Sequence, residues 1–518
     1  MSLSSPFIAS RLGLSSWLRA NALALAALAA VLACCLPFLV VSLPAMIDYP
    51  NHLARLYVLT HYAQIPAFHE FYRPEWHAVP NIAMDAVIVP IVWLTGWSVE
   101  TIDRIFTMLV VALTVPSTML LSYAFHRRWS YWSLASILFA YNYVLLYGFT
   151  NYLAGIDLAV IFAACWILYG NRRPAVAALL FVPAALVLFF THLYAFAVYG
   201  LMIGAWELRL LRRAPSWRLL GRQFVGFLQF IPALAVLALL SPTTGDFSWE
   251  RIKASSLAMK AIAVYTVFDI GYRGLTLATF ALVVAALLWG WRSGRLKLDA
   301  GGGAMLALLG LAFLVMPFTL FGCGFADYRM PIAMAPVLFA ATSWRNVPRL
   351  ARAALGFAFV ALAILRIGTV TDDWQRGDRR YAEIRRALAP MAEGKRLLGY
   401  VAAEDATMDF ARRPPIEHAP TLAVIDKHAF VPTLFAEPEK QPLVFQPAYV
   451  PLTINVDLVK LYDHPGAAGG PLSDAVLANY DYVLIFAKMP LTLDLPPDLR
   501  RIDDGAARDL AIFAVTRP

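Results

Sequence analysis

Residues 20–55 read ANALALAALAAVLACCLPFLVVSLPAMIDYPNHLAR. The apolar run from Ala20 to Pro44 is about 25 residues, enough to cross a hydrocarbon layer at about 1.5 Å per helical residue. Arg11 and Arg19 precede it, so it reads as an uncleaved signal anchor. The chain then leaves the membrane through Met46 to Arg55, where a carboxylate, an amide, an imidazole and a guanidinium arrive together. Asp48, His52 and Arg55 are spaced i, i+4, i+7. A helix starting at Pro50 would put them on one face. Asp48 has two readings: the N-cap of that helix, or a reactive carboxylate at the membrane surface.

The rest of the chain fixes the class. Of 518 residues, 60% are apolar and 15% charged, and the mean hydropathy is +0.63, too apolar for a soluble protein of this size. Further apolar runs lie at 103–125, 130–147, 153–170, 174–191, 193–211, 222–240, 274–291, 303–321, 330–344 and 352–370. With the first run they predict a mainly α polytopic bundle of about eleven spans. Alternate connections hold Arg127 and Arg128, Arg172 and Arg173, Arg209 to Arg218, Arg292 to Lys297, and Arg345 with Arg349. The positive-inside rule puts these on the N-terminal, cytoplasmic side. An odd number of spans then places the C-terminal region outside the cytoplasm.

Two domains are expected: 1–371 in the membrane, with an outer loop at 45–102, and an extracytoplasmic α/β domain at 372–518. Residues 1–371 carry 26 Lys+Arg against 13 Asp+Glu, and 372–518 carry 17 against 21. The basic excess therefore belongs to membrane connections and gives no reason to expect a nucleic-acid partner. Tyr381–Met391 reads as an amphipathic helix, and RLLGYVAA, YDYVLIFAK and LAIFAVTRP read as strands. The four cysteines lie in or beside apolar runs, with no disulfide framework or thiolate site indicated. His418, His428 and His464 show no ligand spacing, and no zinc site is expected. Asn81 to Gly96, with Pro90 inside, reads as an interfacial or re-entrant helix.

Asp48 in the first outer loop, an interfacial helix ending at Gly96, and then Ser98, Glu100 and Arg104 at the entry to the next span form a pattern. It resembles the GT-C class of membrane glycosyltransferases, which includes protein O-mannosyltransferases and the aminoarabinose transferases acting on lipid A. The resemblance implies transfer of a sugar from a polyprenyl-phosphate donor to a glycan, lipid or protein acceptor, among membrane lipids, on the periplasmic side of a bacterial inner membrane. Many members carry paired or additional acidic residues that hold a metal. Here Asp48 is followed by Tyr49 and Pro50, so a divalent metal stays open.

Such a transfer needs a base for the acceptor proton and cations for the leaving phosphate. Asp48 is the candidate base, with His52 one turn along to orient it or standing as an ordinary interfacial histidine; Arg55 is a candidate for substrate binding. Arg329, two residues after Asp327, can grip phosphate through its planar fork or anchor a span end. Arg251, Lys253, Lys260 and Arg273 lie in the outer loop 241–273, which reads as a headgroup-binding segment and donor gate. His192, in a near-absent loop between two spans, is a candidate site residue or a bonded helix-end histidine. Asn151 and Asp157, at the preceding outer turn, are weaker candidates. Two other readings keep many spans and an outer domain: a transporter or flippase, for which no internal repeat is visible, and a non-catalytic subunit of envelope polysaccharide assembly, which would not need Asp48.

Overall fold

The computed structural model describes residues 6–170, 174–213, 216–243, 252–320, 323–402, 416–453, 459–461, 470–487, 495–507 and 509–516, without side chains at 6–20 and 459–461. Arg172, Arg173, Arg251 and His464 lie outside the described residues.

The chain is a polytopic helix bundle carrying an α/β domain at one end. Eight described helices are long and apolar enough to cross a membrane; they include Asn21–Leu39, Val99–His126, Leu193–Arg212 and Arg349–Leu388. Three expected spans fall short of that length. The segment 130–147 breaks into Tyr131–Ser136, Ile137–Ala140 and Tyr143–Tyr147. Ser130 and Asn142 side chains accept from the backbone N–H groups of Trp132 and Leu145 and restart the chain each time. The run at 303–321 forms Ala300–Val315, and that at 330–344 forms Ala326–Ala341, each 16 residues. At about 1.5 Å per residue these reach about 24 Å, less than the ~30 Å hydrocarbon layer. Ala326–Ala341 contains Pro331 and Pro336, then gives way to the strand Thr342–Trp344, which pairs antiparallel with Leu296–Leu298.

The entry motif to the Val99–His126 helix is structural. Gly96 ends the Ala83–Thr95 helix in the left-handed region, at φ 69°. Ser98 caps the next helix by accepting from the Thr101 N–H, and Arg104 Nη1 donates to the Val41 carbonyl at 2.7 Å, tying that helix to the end of the first span.

Arg349–Leu388 runs 40 residues out of the bundle, so the boundary expected at 371/372 falls inside one continuous helix. Beyond it a five-stranded mixed sheet forms in the order Val459–Leu461, Leu397–Ala402, Tyr482–Phe486, Leu510–Val515, Leu499–Arg501. The first three strands are parallel and the last two antiparallel. All three strands read from the sequence are present. One hydrophobic core takes Leu53, Leu56 and Val58 from the first outer loop together with Trp374, Val424 and Ile485. Tyr72–Pro74 of that loop also pairs antiparallel with Leu443–Phe445. The first outer loop and the C-terminal domain are therefore packed as a unit over the end of the bundle.

Candidate active site

Asp48 occupies the N-cap position of the helix Tyr49–His61, with Pro50 in its first turn, yet its side chain makes no capping hydrogen bond. Its backbone is held instead, with the N–H groups of Ile47 and Asp48 donating to the carbonyls of Leu146 and Tyr147 at 3.0 and 2.8 Å. The turn after Tyr143–Tyr147 closes at Gly148, φ 116°, where an added Cβ would stand 2.6 Å from the Asp48 Cβ. Only glycine fits there.

The carboxylate faces the C-terminal domain. Nε2 of His418 lies 3.4 Å from Asp48 Oδ1, and both side chains are nearly buried. The other ring nitrogen, Nδ1, lies 3.0 Å from Nδ2 of Asn51. His418, set aside in the sequence as one of three scattered histidines, is thus an ionisable side chain of the C-terminal domain brought to Asp48. No spacing signal could have found it, since Asn51 and His418 are 367 residues apart in the chain.

His52 lines the same cavity as Asp48, and its Nδ1 accepts from Arg55 Nη1 at 3.1 Å. Burial, then the Arg55 charge and His418, hold its pKa well below the ordinary 6.5, against a smaller opposing hydrogen bond to the Gly148 backbone. Arg55 does not share that face. It turns inward, fully buried, and grips Asp85 with Nε–Oδ1 at 2.8 Å and Nη2–Oδ2 at 3.0 Å. This bidentate pair locks the Tyr49–His61 helix to Ala83–Thr95 and takes Arg55 out of the expected substrate-binding set.

Arg329 forms the opposite wall. Its guanidinium lies 4.5 Å from the ring centre of Phe149, 5.0 Å from Tyr194 and 5.8 Å from Tyr152. Nε and Nη1 are buried with no hydrogen-bond partner among the described residues. A charge so placed, supported by ring faces but not by an acceptor, is suited to receive an anion. His192 is also in the wall; its Nδ1 accepts from the Tyr194 N–H at 3.1 Å, and burial followed by the Arg329 charge lowers its pKa well below the ordinary 6.5.

Asp327 points away from the cavity. It accepts from Ser255 Oγ and lies 3.7 Å from Lys260 Nζ, which also donates to the Phe313 carbonyl at 2.7 Å. Lys260 is therefore bound into the protein and is not a headgroup contact. Arg273 stands exposed at the start of Arg273–Arg292, outside the cavity lining. Asn151 braces the first outer loop, accepting from Met84 N–H at 3.0 Å and donating to the Asn81 carbonyl at 2.7 Å. Asp157 is buried in the bundle, accepting from Ser117 at 2.7 Å and Thr114 at 3.2 Å.

The cavity between Asp48 and Arg329 holds about 350 Å³. Its floor comes from Tyr147–Tyr152 and its roof from Thr433–Gln441 of the C-terminal domain, including Glu437, Glu439 and Lys440. Among the described residues no three His, Cys, Asp or Glu side chains gather as a metal site.

No family model matches the chain, and no curated protein does. Among solved structures it is similar to the arabinofuranosyltransferase AftD from mycobacteria, at 15% identity and TM-score 0.44 over 96% of this chain and 40% of that one. It is also similar to ArnT from Cupriavidus metallidurans bound to undecaprenyl phosphate, at 12% identity and TM-score 0.49, over 96% of this chain and 100% of that one. The chain thus spans about two fifths of the length of AftD. Identities this low speak to shape alone.

Proposed function

We propose that this chain is a GT-C-like membrane glycosyltransferase that moves a sugar from a polyprenyl-phosphate donor to an envelope acceptor on the periplasmic side of a bacterial inner membrane. The observation that carries the reading is the cavity itself: a carboxylate backed by a histidine on one wall, and on the other a buried guanidinium whose Nε and Nη1 have no partner among the described residues. The two walls supply the two things the reaction needs, a proton acceptor and a grip on a leaving phosphate. Asp48 takes the proton of the acceptor hydroxyl or amine as that atom bonds to the anomeric carbon. The bond from that carbon to the phosphate oxygen breaks, and its electron pair leaves on the phosphate held by Arg329. A single displacement of this kind inverts the anomeric centre. In this reading residues 1–371 bind the lipid donor and residues 372–518 roof the site.

The test is sugar transfer from a polyprenyl-phosphate donor by purified, detergent-solubilised protein. Asp48→Asn keeps size and accepting oxygen but loses the base, so turnover should fall about 10²- to 10⁴-fold with the thermal midpoint little changed. Arg329→Lys keeps charge but not the fork, and should weaken use of the lipid donor by roughly 1 to 3 kcal/mol. Turnover of Asp48→Asn within about threefold of wild type, far below the range for a lost base, removes the assignment.

A further inference from the structure

Asn51 lies in the first turn of the helix Tyr49–His61 and is fully buried. Its side-chain oxygen accepts from the backbone N–H of Phe435 at 2.7 Å, and its nitrogen donates to the backbone carbonyl of Thr433 at 2.8 Å. A backbone N–H only donates and a carbonyl only accepts, so these two partners fix which end of the amide is oxygen. The second amide hydrogen of Asn51 then meets Nδ1 of His418 at 3.0 Å. An amide NH2 offers no lone pair, so Nδ1 must be the acceptor and carries no hydrogen. The proton of the imidazole is therefore on Nε2, the nitrogen 3.4 Å from Asp48 Oδ1.

Resting on the reading of Asp48 as base, we infer that Asn51 and His418 are a positioning pair for it. Asn51 holds His418 as the neutral Nε2–H tautomer, and that N–H is directed at Oδ1 of Asp48, orienting the carboxylate. The Nε2–Oδ1 separation of 3.4 Å is long for a hydrogen bond. Neutrality matters because an imidazolium would form a charge-assisted bond about twice as strong and make the carboxylate a poorer base. Protonating Nδ1 would set an N–H against the Asn51 NH2, so the amide opposes that state.

Among the described residues, the charged and titratable groups lining the cavity with His418 are Asp48 and His52 on the helix side, and Arg329, Glu437, Glu439 and Lys440, with Glu417 beside it in the chain. The carboxylates among them favour the imidazolium, and the Asn51 bond opposes it. The other two cavity histidines are held alike: Nδ1 of His52 accepts from Arg55 at 3.1 Å and Nδ1 of His192 from the Tyr194 N–H at 3.1 Å. Asn51 also explains why the outer domain is part of the site. Its amide bonds Thr433, Phe435 and His418, all from that domain, while sitting three residues from Asp48.

The experiment is nitrogen NMR on the full chain labelled with ¹⁵N-histidine in detergent, with His418 assigned by its loss in His418→Gln. His418 Nδ1 should stay unprotonated from roughly pH 5.5 to 8, where a free histidine titrates. Asn51→Asp places an acceptor at Nδ1 and should bring a proton there. A wild-type Nδ1 that carries hydrogen, or that titrates like a free histidine, overturns the inference. In the transfer assay His418→Ala should lose about 10²-fold in kcat with donor KM little changed, and His418→Gln, which retains an N–H donor towards Asp48, should recover a large part of that loss. Wild-type turnover by His418→Ala overturns the positioning role even where the tautomer is as expected. Wild-type turnover by Asp48→Asn instead overturns the base assignment, and the tautomer readout stands apart from it.

Discussion

Gly148→Ala probes the placement of Asp48 without touching its chemistry. The new Cβ would lie 2.6 Å from the Asp48 Cβ, and ordinary contact begins near 3.4 Å, so Asp48 or the turn must retreat by about 0.8 Å. Alanine at φ 116° adds backbone strain of about 1 to 3 kcal/mol. A displacement near 1 Å costs on the order of 10² in rate where proximity carries the reaction. The expected outcome is a folded protein with a lower thermal midpoint and a kcat reduced about 10- to 100-fold. Donor KM should hold, because Arg329 lies on the opposite wall. A rise in acceptor KM with kcat intact would instead mean that the added methyl occupies acceptor space. Gly204→Ala is the control: nothing lies within 4 Å of its Cβ position, and alanine favours the helix Leu193–Arg213. The assay is sugar transfer at matched amounts of folded protein. Wild-type kcat in Gly148→Ala would show that the position of Asp48 is not critical, and the base would have to be sought elsewhere.

Breaking the Arg55–Asp85 pair should be costly in one direction and mild in the other. Asp85→Asn leaves a fully buried guanidinium uncompensated and should cost about 3 to 5 kcal/mol, whereas replacing both partners by apolar residues, Arg55→Met with Asp85→Leu, should cost far less. Thermal unfolding in detergent reads this, and equal midpoints for Asp85→Asn and the double variant would contradict it. Stability should also depend on pH below neutrality. His52 and His192 have folded pKa values below the ordinary 6.5. Above 6.5 neither the folded nor the unfolded chain binds their protons; as pH falls below it only the unfolded chain does, so stability is lost, at up to about 1.4 kcal/mol per pH unit for each group. Midpoints measured from about pH 8 to 5 should fall less steeply in His52→Gln and His192→Gln variants, and an unchanged slope would mean that both are charged in the fold.

Much of the architecture was legible because lipid imposes a strong filter: a spanning helix must be long and apolar, and Val99–His126 or Arg273–Arg292 announce themselves by that alone. The interfacial helix ending at Gly96 was legible for a similar local reason, since Pro90 and a terminal glycine are read without knowledge of partners. Segment 130–147 misled because its apolar content is that of a span while its breaks depend on two polar side chains, Ser130 and Asn142, choosing to cap. The site was half legible. Asp48 and Arg329 stand where the chain leaves or enters the bundle, and such positions can be counted along the sequence. The orientation of Arg55 could not be counted, because it is decided by Asp85 thirty residues later, and neither could His418, which is delivered by the folding of another domain.

This division has a physical basis that also bears on how the site works. The groups read from local sequence lie at ends of helices, where free backbone groups and interfacial water keep polar side chains affordable. The groups that sequence could not supply are those that cover Asp48 from the C-terminal domain: the Thr433–Gln441 roof and His418. Arg329 shows what such a closed space costs, because its Nε and Nη1 are buried without an acceptor among the described residues while ring faces lie against the guanidinium. An orphaned buried donor costs about 1 to 3 kcal/mol, and a cation over an aromatic ring returns about 0.5 to 2. The balance is a residual cost at Arg329, a strain that an anion would relieve. Lipid phosphate entering from the bundle would relieve that strain on one wall, while the acceptor entering under the C-terminal roof would meet Asp48 on the other. In the proposed reaction, domain and bundle would each contribute one half of the site.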